Sequence, residues 1–292
     1  MPSTDFVRAH PRWLPYVHLN QQELPIDVDA REVVHMVPFN YGDDRIRYRN
    51  TRFETRKADG FSRLEESVAT REELGAASLT TPDVAVEENT TDSSLSGRVH
   101  VVWSAGFINP ANQIGRADLA WRVRDAQGWG PVRYLNASGD QRWLDFPQAL
   151  VGENGTLHVV AMLYDQNVPQ GQPPKETLVS FSTRGTAPVM WREIPGAGGT
   201  RSPARLALRK DVNGTLWIAA AWRRFNAATF MNDAYYALGP VGADGSVAWT
   251  QAVKATSQHD VASVDVALDQ ERRCHLVWSS NTTQAVHYGR TG

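Results

Sequence analysis

The run Gly155-Thr156-Leu157-His158-Val159-Val160-Ala161 follows an Asn-Gly turn and sets one polar residue in a short apolar strand. The same phrase returns as Val33-Val34-His35-Met36-Val37, Arg98-Val99-His100-Val101-Val102-Trp103, Thr215-Leu216-Trp217-Ile218-Ala219 and Cys274-His275-Leu276-Val277-Trp278. With His35, His100, His158, Trp217 and His275 taken as equivalent, the intervals are 65, 58, 59 and 58 residues. Five copies at a near-constant period define a repeat architecture, in which each unit buries its apolar face against its neighbours.

Working outward from that phrase, each repeat reads as four strands. An innermost strand precedes it, as in Pro25-Ile26-Asp27-Val28, Pro82-Asp83-Val84-Ala85-Val86, Pro147-Gln148-Ala149-Leu150-Val151, Pro203-Ala204-Arg205-Leu206 and Val264-Asp265-Val266-Ala267-Leu268. The prolines are expected at strand starts, where no ladder donor is lost. A third strand follows with a recurring ring: Tyr48, Trp121, Phe181, Tyr236 and Tyr288. The fourth opens on an aromatic, Phe61, Trp129, Trp191 or Trp249, a few residues before a branched residue. Short, evenly spaced strands with glycine and aromatic marks once per unit are the pattern of propeller blades.

The fifth repeat ends after its third strand, and Trp13-Leu14-Pro15-Tyr16-Val17-His18-Leu19 has the Trp-x-x-x-Val form of Trp249 to Val253. The sequence therefore predicts an all-β, five-bladed β-propeller of four-stranded blades, with the N-terminal strand completing the last blade and removing an open edge. The expected blades span about 20–67, 80–136, 145–196, 201–255 and 260–292 plus 10–19, in one domain over 1–292.

The turns Ala58-Asp59-Gly60-Phe61, Asp125-Ala126-Gln127-Gly128-Trp129 and Asp244-Gly245-Ser246-Val247-Ala248-Trp249 resemble the Asp-box, Ser-x-Asp-x-Gly-x-x-Trp. That motif marks the sialidase-like (BNR repeat) propellers, and the resemblance implies their architecture. The early Arg-Ile-Pro motif that leads an arginine triad in sialidases has no counterpart here, so the resemblance does not extend to sialidase activity.

Composition narrows the partners. With 30 Lys and Arg against 32 Asp and Glu, the net charge of -2 offers no basic field for nucleic acid or an anionic membrane. No run approaches the length of a membrane-crossing helix, and the first residues lack a signal-like apolar stretch, so the chain reads as soluble and cytoplasmic. The single Cys274 lies inside a repeated strand as an expected buried thiol, and no intrachain disulfide can form. The recurring histidines lie at one place in successive blades, too far apart to share a metal, and no Cys/His spacing fits zinc. No metal or other cofactor is called for.

Unequal segment lengths point to a site. From the second-strand marker to the third-strand ring the counts are 13, 21, 23, 19 and 13 residues. The second, third and fourth repeats thus carry long loops, Ser104–Asp118, Tyr164–Glu176 and Arg223–Asp233, which would wall one side of the channel mouth. Residues at the starts of innermost strands face the same mouth. Asp145, His259, Asp260, Tyr164 and Arg201 are the candidate catalytic groups, since paired carboxylates or a His or Tyr base with an Arg perform acid–base chemistry. Glu23, Asn40, Tyr41, Phe107, Trp143, Asp165, Trp222, Arg223, Arg224, Phe225 and Asn281 are the candidate binding residues. The ligand is expected to be a glycan or another small polar molecule. A hydrolase would use Asp145 and Asp260, and a lyase would use His259 or Tyr164 with Arg201. A cyclase- or isomerase-type enzyme on a small metabolite, a lectin-like module and a protein-interaction platform are the alternatives.

Overall fold

Branched and aromatic residues fill the repeated runs, and these runs fold as strands paired antiparallel with their neighbours in sequence. The computed structural model describes residues 25–29, 33–38, 44–53, 61–87, 97–108, 114–135, 142–166, 174–184, 189–200, 202–256 and 260–291. The first group is β1 (Ile26–Val28), β2 (Val33–Met36), β3 (Arg45–Phe53) and β4 (Phe61–Thr70). After a single helical turn, α1 (Arg71–Leu74), come β5 (Ser78–Glu87), β6 (Arg98–Ile108) and β7 (Ile114–Asp125). The short strands β8 (Gly128–Trp129) and β9 (Arg133–Tyr134) both pair with β7. The third group is β10 (Arg142–Val151), β11 (Thr156–Asp165), β12 (Lys175–Arg184) and β13 (Met190–Glu193). The fourth is β14 (Arg205–Lys210), β15 (Leu216–Asn226), β16 (Met231–Pro240) and β17 (Val253–Lys254). The last is β18 (Val261–Leu268), β19 (Cys274–Ser280) and β20 (Ala285–Arg290). The chain is all-β, and one parallel bridge, Trp143 to Ala117, joins the second and third groups.

Consecutive groups stack face to face. Val37, Ile46 and Tyr48 pack with Val84, Val101 and Trp103, and Val102 and Trp121 pack with Leu157, Val159 and Phe181. Val160 and Leu178 meet Ala220 and Trp222, and Ala219 and Ala221 meet Val264, Leu276 and Trp278. Each of the larger aliphatic or aromatic side chains contributes about 1.5–3 kcal/mol when fully buried. Polar bridges also run between innermost strands. Asp27 Oδ2 accepts from the Val86 amide at 2.7 Å and Asp83 Oδ2 from the Ala149 amide at 2.7 Å. Arg205 Nη1 donates to Gln148 Oε1 at 2.5 Å. Burial pushes the Asp83 carboxyl up to about 7, against the lowering effect of the Ala149 amide.

At the turn joining the first two strands of four of the five groups, the recurring ring meets a carboxylate. His35 bonds Tyr48 Oη through Nδ1 at 2.7 Å, with Nε2 3.4 Å from Asp29 Oδ2. His100 Nδ1 accepts from the Trp121 indole at 3.3 Å while Nε2 lies 3.4 Å from Glu87. His275 bonds Tyr288 Oη at 2.8 Å and Asp269 at 3.1 Å. In the fourth group the Trp217 indole donates to Asp211 at 3.2 Å. Asp29, Asp211 and Asp269 use their other oxygen to accept backbone N–H groups of the same turn. The third group has no such carboxylate: His158 Nδ1 bonds Ser182 Oγ at 3.1 Å, and burial pushes its pKa down to about 4. Its turn instead carries Gly155 at φ 74°, where an added Cβ would stand 2.4 Å from Glu87 Oε1. The histidines are thus hydrogen-bonded within their own sheets.

Two local expectations are corrected. Pro82 and Pro147 lie inside β5 and β10, at bulges where the register shifts between Thr80 and Asp83 and between Asp145 and Gln148. A bulge leaves a residue outside the ladder, so a proline without an N–H fits there as well as at a strand start. The long segments of the second to fourth groups are mostly hairpin extensions of strand pairing. β15 and β16 pair out to Asn226 and Met231, leaving four turn residues, 227–230. The helical turn α1 is capped by Thr70, whose side chain accepts from the Glu73 amide. The expected N-terminal strand, 13–19, lies outside the described residues.

Candidate functional site

Antiparallel pairing places the starts of the innermost strands at the same end as the tips of the β6–β7, β11–β12 and β15–β16 hairpins. The candidate carboxylates Asp145 and Asp260 both occupy that end. Asp145 accepts from Thr81 Oγ1 of β5 and from the Phe146 amide at 2.9 Å, and the Phe146 amide also reaches Thr81 Oγ1 at 3.3 Å. The knot forms because Thr81 and Phe146 hold φ of 47° and 52° before their prolines, an uncommon conformation for residues other than glycine. Burial pushes the Asp145 carboxyl up, opposed in part by those two bonds. Asp145, Trp143 and the Tyr164 opposite Trp143 share one face of the β10–β11 pair.

Asp260 precedes β18 and is held differently. Its Oδ1 accepts from the Asn232 amide at 2.9 Å and from Asn232 Nδ2 at 3.1 Å, and Oδ2 accepts from Asn281 Nδ2 at 3.0 Å. The bonds from Asn232 and Asn281 favour the charged form and hold its pKa below the usual carboxylate range.

The other sequence-derived positions divide by role. Arg142 pairs with Asp165 at 3.1 Å, and Arg223 donates to the Ala262 carbonyl at 2.7 Å. Arg224 donates to the Gly196 carbonyl at 3.0 Å and stacks 3.8 Å over the Tyr235 ring. Phe107 lies under the Arg116 guanidinium at 4.7 Å. Trp222 is corrected: its side chain is fully buried among Leu178, Ile194 and Ala237, because β15 turns that position into the core facing the third group. Phe225 is 53% exposed. Glu23, Asn40, Tyr41, Arg201 and His259 lie outside the described residues. Among the described residues no three His, Cys, Asp or Glu side chains gather as a metal site.

Thr81, Asn232 and Phe230 enter this region without having been singled out as binding groups. Thr81 meets Asp145 across 64 positions, a contact that no local pattern encodes. The acidic partner of the ring at the other end did have a signal: Asp29, Asp211 and Asp269 each stand six residues before their ring.

No protein-family model and no curated protein sequence matches this chain. Solved structures share its fold. An α-L-arabinofuranosidase from Fusarium graminearum, in complex with an iminosugar inhibitor, covers 91% of this chain and 79% of its own, at 9% identity and TM-score 0.52. The α-L-arabinanase of Penicillium chrysogenum complexed with arabinobiose gives 91%, 76%, 13% and 0.52 for the same quantities. A polysaccharide lyase, an ulvan lyase bound to a glucuronate–sulfated rhamnose oligosaccharide, gives 92%, 64%, 9% and 0.53. At such identities the likeness is one of fold, and the neighbours are β-propeller glycosidases and lyases.

Proposed function

We propose that this chain is a single-domain, five-bladed propeller closed by residues 13–19, acting on a glycan at one site where the innermost strands start. The observation that carries the reading is the opposite tuning of two carboxylates at that end. Burial raises Asp145 and hydrogen bonds lower Asp260. Such a divergence suits an acid and a base: Asp145 would protonate the leaving glycosidic oxygen, and ionised Asp260 would activate water or attack the sugar carbon. Asp260 accepts three bonds, and a carboxylate has about four lone-pair sites, so one remains for substrate. The fold neighbours support the reading, since those named above carry an iminosugar, arabinobiose or an acidic oligosaccharide. Tyr164, on the same face as Asp145, favours a lyase as the second reading, with Tyr164 as the base. No helix among the described residues is long and apolar enough to cross a membrane.

The test is turnover of neutral and uronate-containing polysaccharides, followed by reducing ends for hydrolysis and by ultraviolet absorbance of an unsaturated uronate for elimination. Asp145→Asn is expected to lower the rate by about 10²–10⁴-fold. Its melting temperature is expected to stay unchanged, because the amide oxygen can still accept from Thr81 and Phe146. Full activity in that variant, or its unfolding, would remove Asp145 from the chemistry.

A further inference from the structure

The tip of the β15–β16 hairpin displays two aromatic rings to water. Phe230 is 81% exposed and Phe225 53%, and the rings stand edge to face with centroids 6.2 Å apart at 75°. Burying such a ring releases about 1.5–3 kcal/mol, so leaving both outside is costly unless something covers them. The turn that carries them is held in shape. Asn226 Oδ1 accepts from the Ala228 amide at 3.0 Å, and Asn226 Nδ2 donates to Asp233 at 3.0 Å. Lys254 braces the same Asp233 oxygen at 2.8 Å, and Phe230 adopts φ 54°, a conformation that favours glycine or asparagine.

The rings are also aimed. Phe225 lies directly opposite Asn232, so their side chains share a face of the hairpin, and Arg223 lies two residues along on that face. Asn232 reaches across to Asp260 and Arg223 to the Ala262 carbonyl, so this face looks onto the start of β18. Through Asn232, the face that carries Phe225 therefore meets Asp260 and its exposed partner Asn281.

We infer that Phe230 and Phe225 form a stacking platform for a neutral sugar ring held beside Asp260, an inference that rests on the glycan reading above. A sugar ring is amphipathic: its C–H face suits the electron-rich face of an aromatic ring, and its hydroxyl edge suits a carboxylate and an amide. A hydroxyl of that ring donates to Asp260 and another accepts from Asn281. A wholly apolar partner over both rings would strip water from the ionised Asp260 and offer its remaining lone pair no donor in exchange. An acidic sugar would set its own charge against the Asp260 carboxylate.

Affinity electrophoresis tests this with Asp145→Asn, alone and combined with Phe230→Ala, in gels containing arabinan, galactan or xylan as neutral probes and polygalacturonate as the acidic one. The single variant is expected to be retarded by at least one neutral probe. Adding Phe230→Ala should weaken that retardation about tenfold, at an unchanged melting temperature. Equal retardation of the two variants overturns the platform and leaves the glycan reading standing. Retardation by polygalacturonate alone overturns the neutral assignment. No retardation by any probe overturns the glycan reading and the platform with it. Size-exclusion chromatography adds one more overturning result: if Phe230→Ala dissociates an oligomer, the rings serve contact between copies of this chain.

Discussion

At the turns between first and second strands, Asp29–His35–Tyr48, Glu87–His100–Trp121 and Asp269–His275–Tyr288 repeat one arrangement of carboxylate, imidazole and aromatic donor. At the opposite end the repeats diverge: Asp145 is knotted to Thr81, Asp260 is clasped by two asparagines, and among the described residues a phenylalanine pair stands on the fourth group alone. A feature copied from group to group serves the fold itself. A feature present once answers to something that arrives from outside. The polar residues at the repeated end are therefore scaffold, although their histidines and carboxylates would suit catalysis by type alone.

The largest effect separating the two ends is expected from His100→Ala. It strips the imidazole from Glu87, which is 1% exposed and among the described residues keeps only Arg98, at 4.0 Å. Leaving a buried carboxylate without its hydrogen-bond partner costs about 1–3 kcal/mol, and urea unfolding should show a loss of that order. A loss below about 1 kcal/mol would break the comparison, because the repeated end would then not be holding the sheets.

The next effect is on the pH dependence of stability. Asp83 has a folded pKa of about 7, above the ordinary unfolded value, so its contribution is full below about pH 4 and is lost as pH rises through 7. His158 behaves in the opposite sense. Its folded value of about 4 lies below the ordinary one, so its contribution is present above about pH 6.5 and fades as pH falls toward 4. Melting temperature measured from pH 4 to 9 should therefore fall at both limits. Asp83→Asn should flatten the alkaline limb and His158→Gln the acid limb, and an unchanged alkaline limb in the first variant would remove Asp83 as its cause.

Smallest in stability is Asn281→Ala, at an exposed turn, with an expected loss of about 0.5–1.5 kcal/mol. Its sharper signature is kinetic. With one donor gone the Asp260 pKa rises toward the usual range, and the acid limb of the pH–rate profile should move to higher pH. An unmoved limb would show that Asp260 is a clasp for the hairpin with no part in proton transfer.

Much of the fold was legible in the sequence because strand repeats write their packing twice, once as period-2 alternation and once as the 58–65-residue interval between rings. The recurring third-strand aromatics proved to be the partners of the recurring histidines at Tyr48, Trp121 and Tyr288. Pro82 and Pro147 misled, because a bulge and a strand start are equally free of ladder bonds and look alike in one dimension. Length alone could not distinguish a loop from an extended hairpin at 223–233, since polar residues on a strand above the core face water on both sides. Trp222 misled for a related reason: near a strand end, a one-residue difference in facing decides between the core and the mouth.

By itself the sequence determined the recurring strand hairpins, the repeating ring and the place where the repeats stop resembling each other. All three follow from local alternation and counting. Only the tertiary structure decided which of the divergent residues meet: Thr81 with Asp145 across 64 positions, and Asn232 with Asp260 across 28. Those contacts are made between neighbouring groups, and their geometry depends on how the faces stack, which no single strand encodes. The opposite tuning of Asp145 and Asp260 follows from the same stacking, since one carboxyl is covered by it and the other is left at its edge among amide donors.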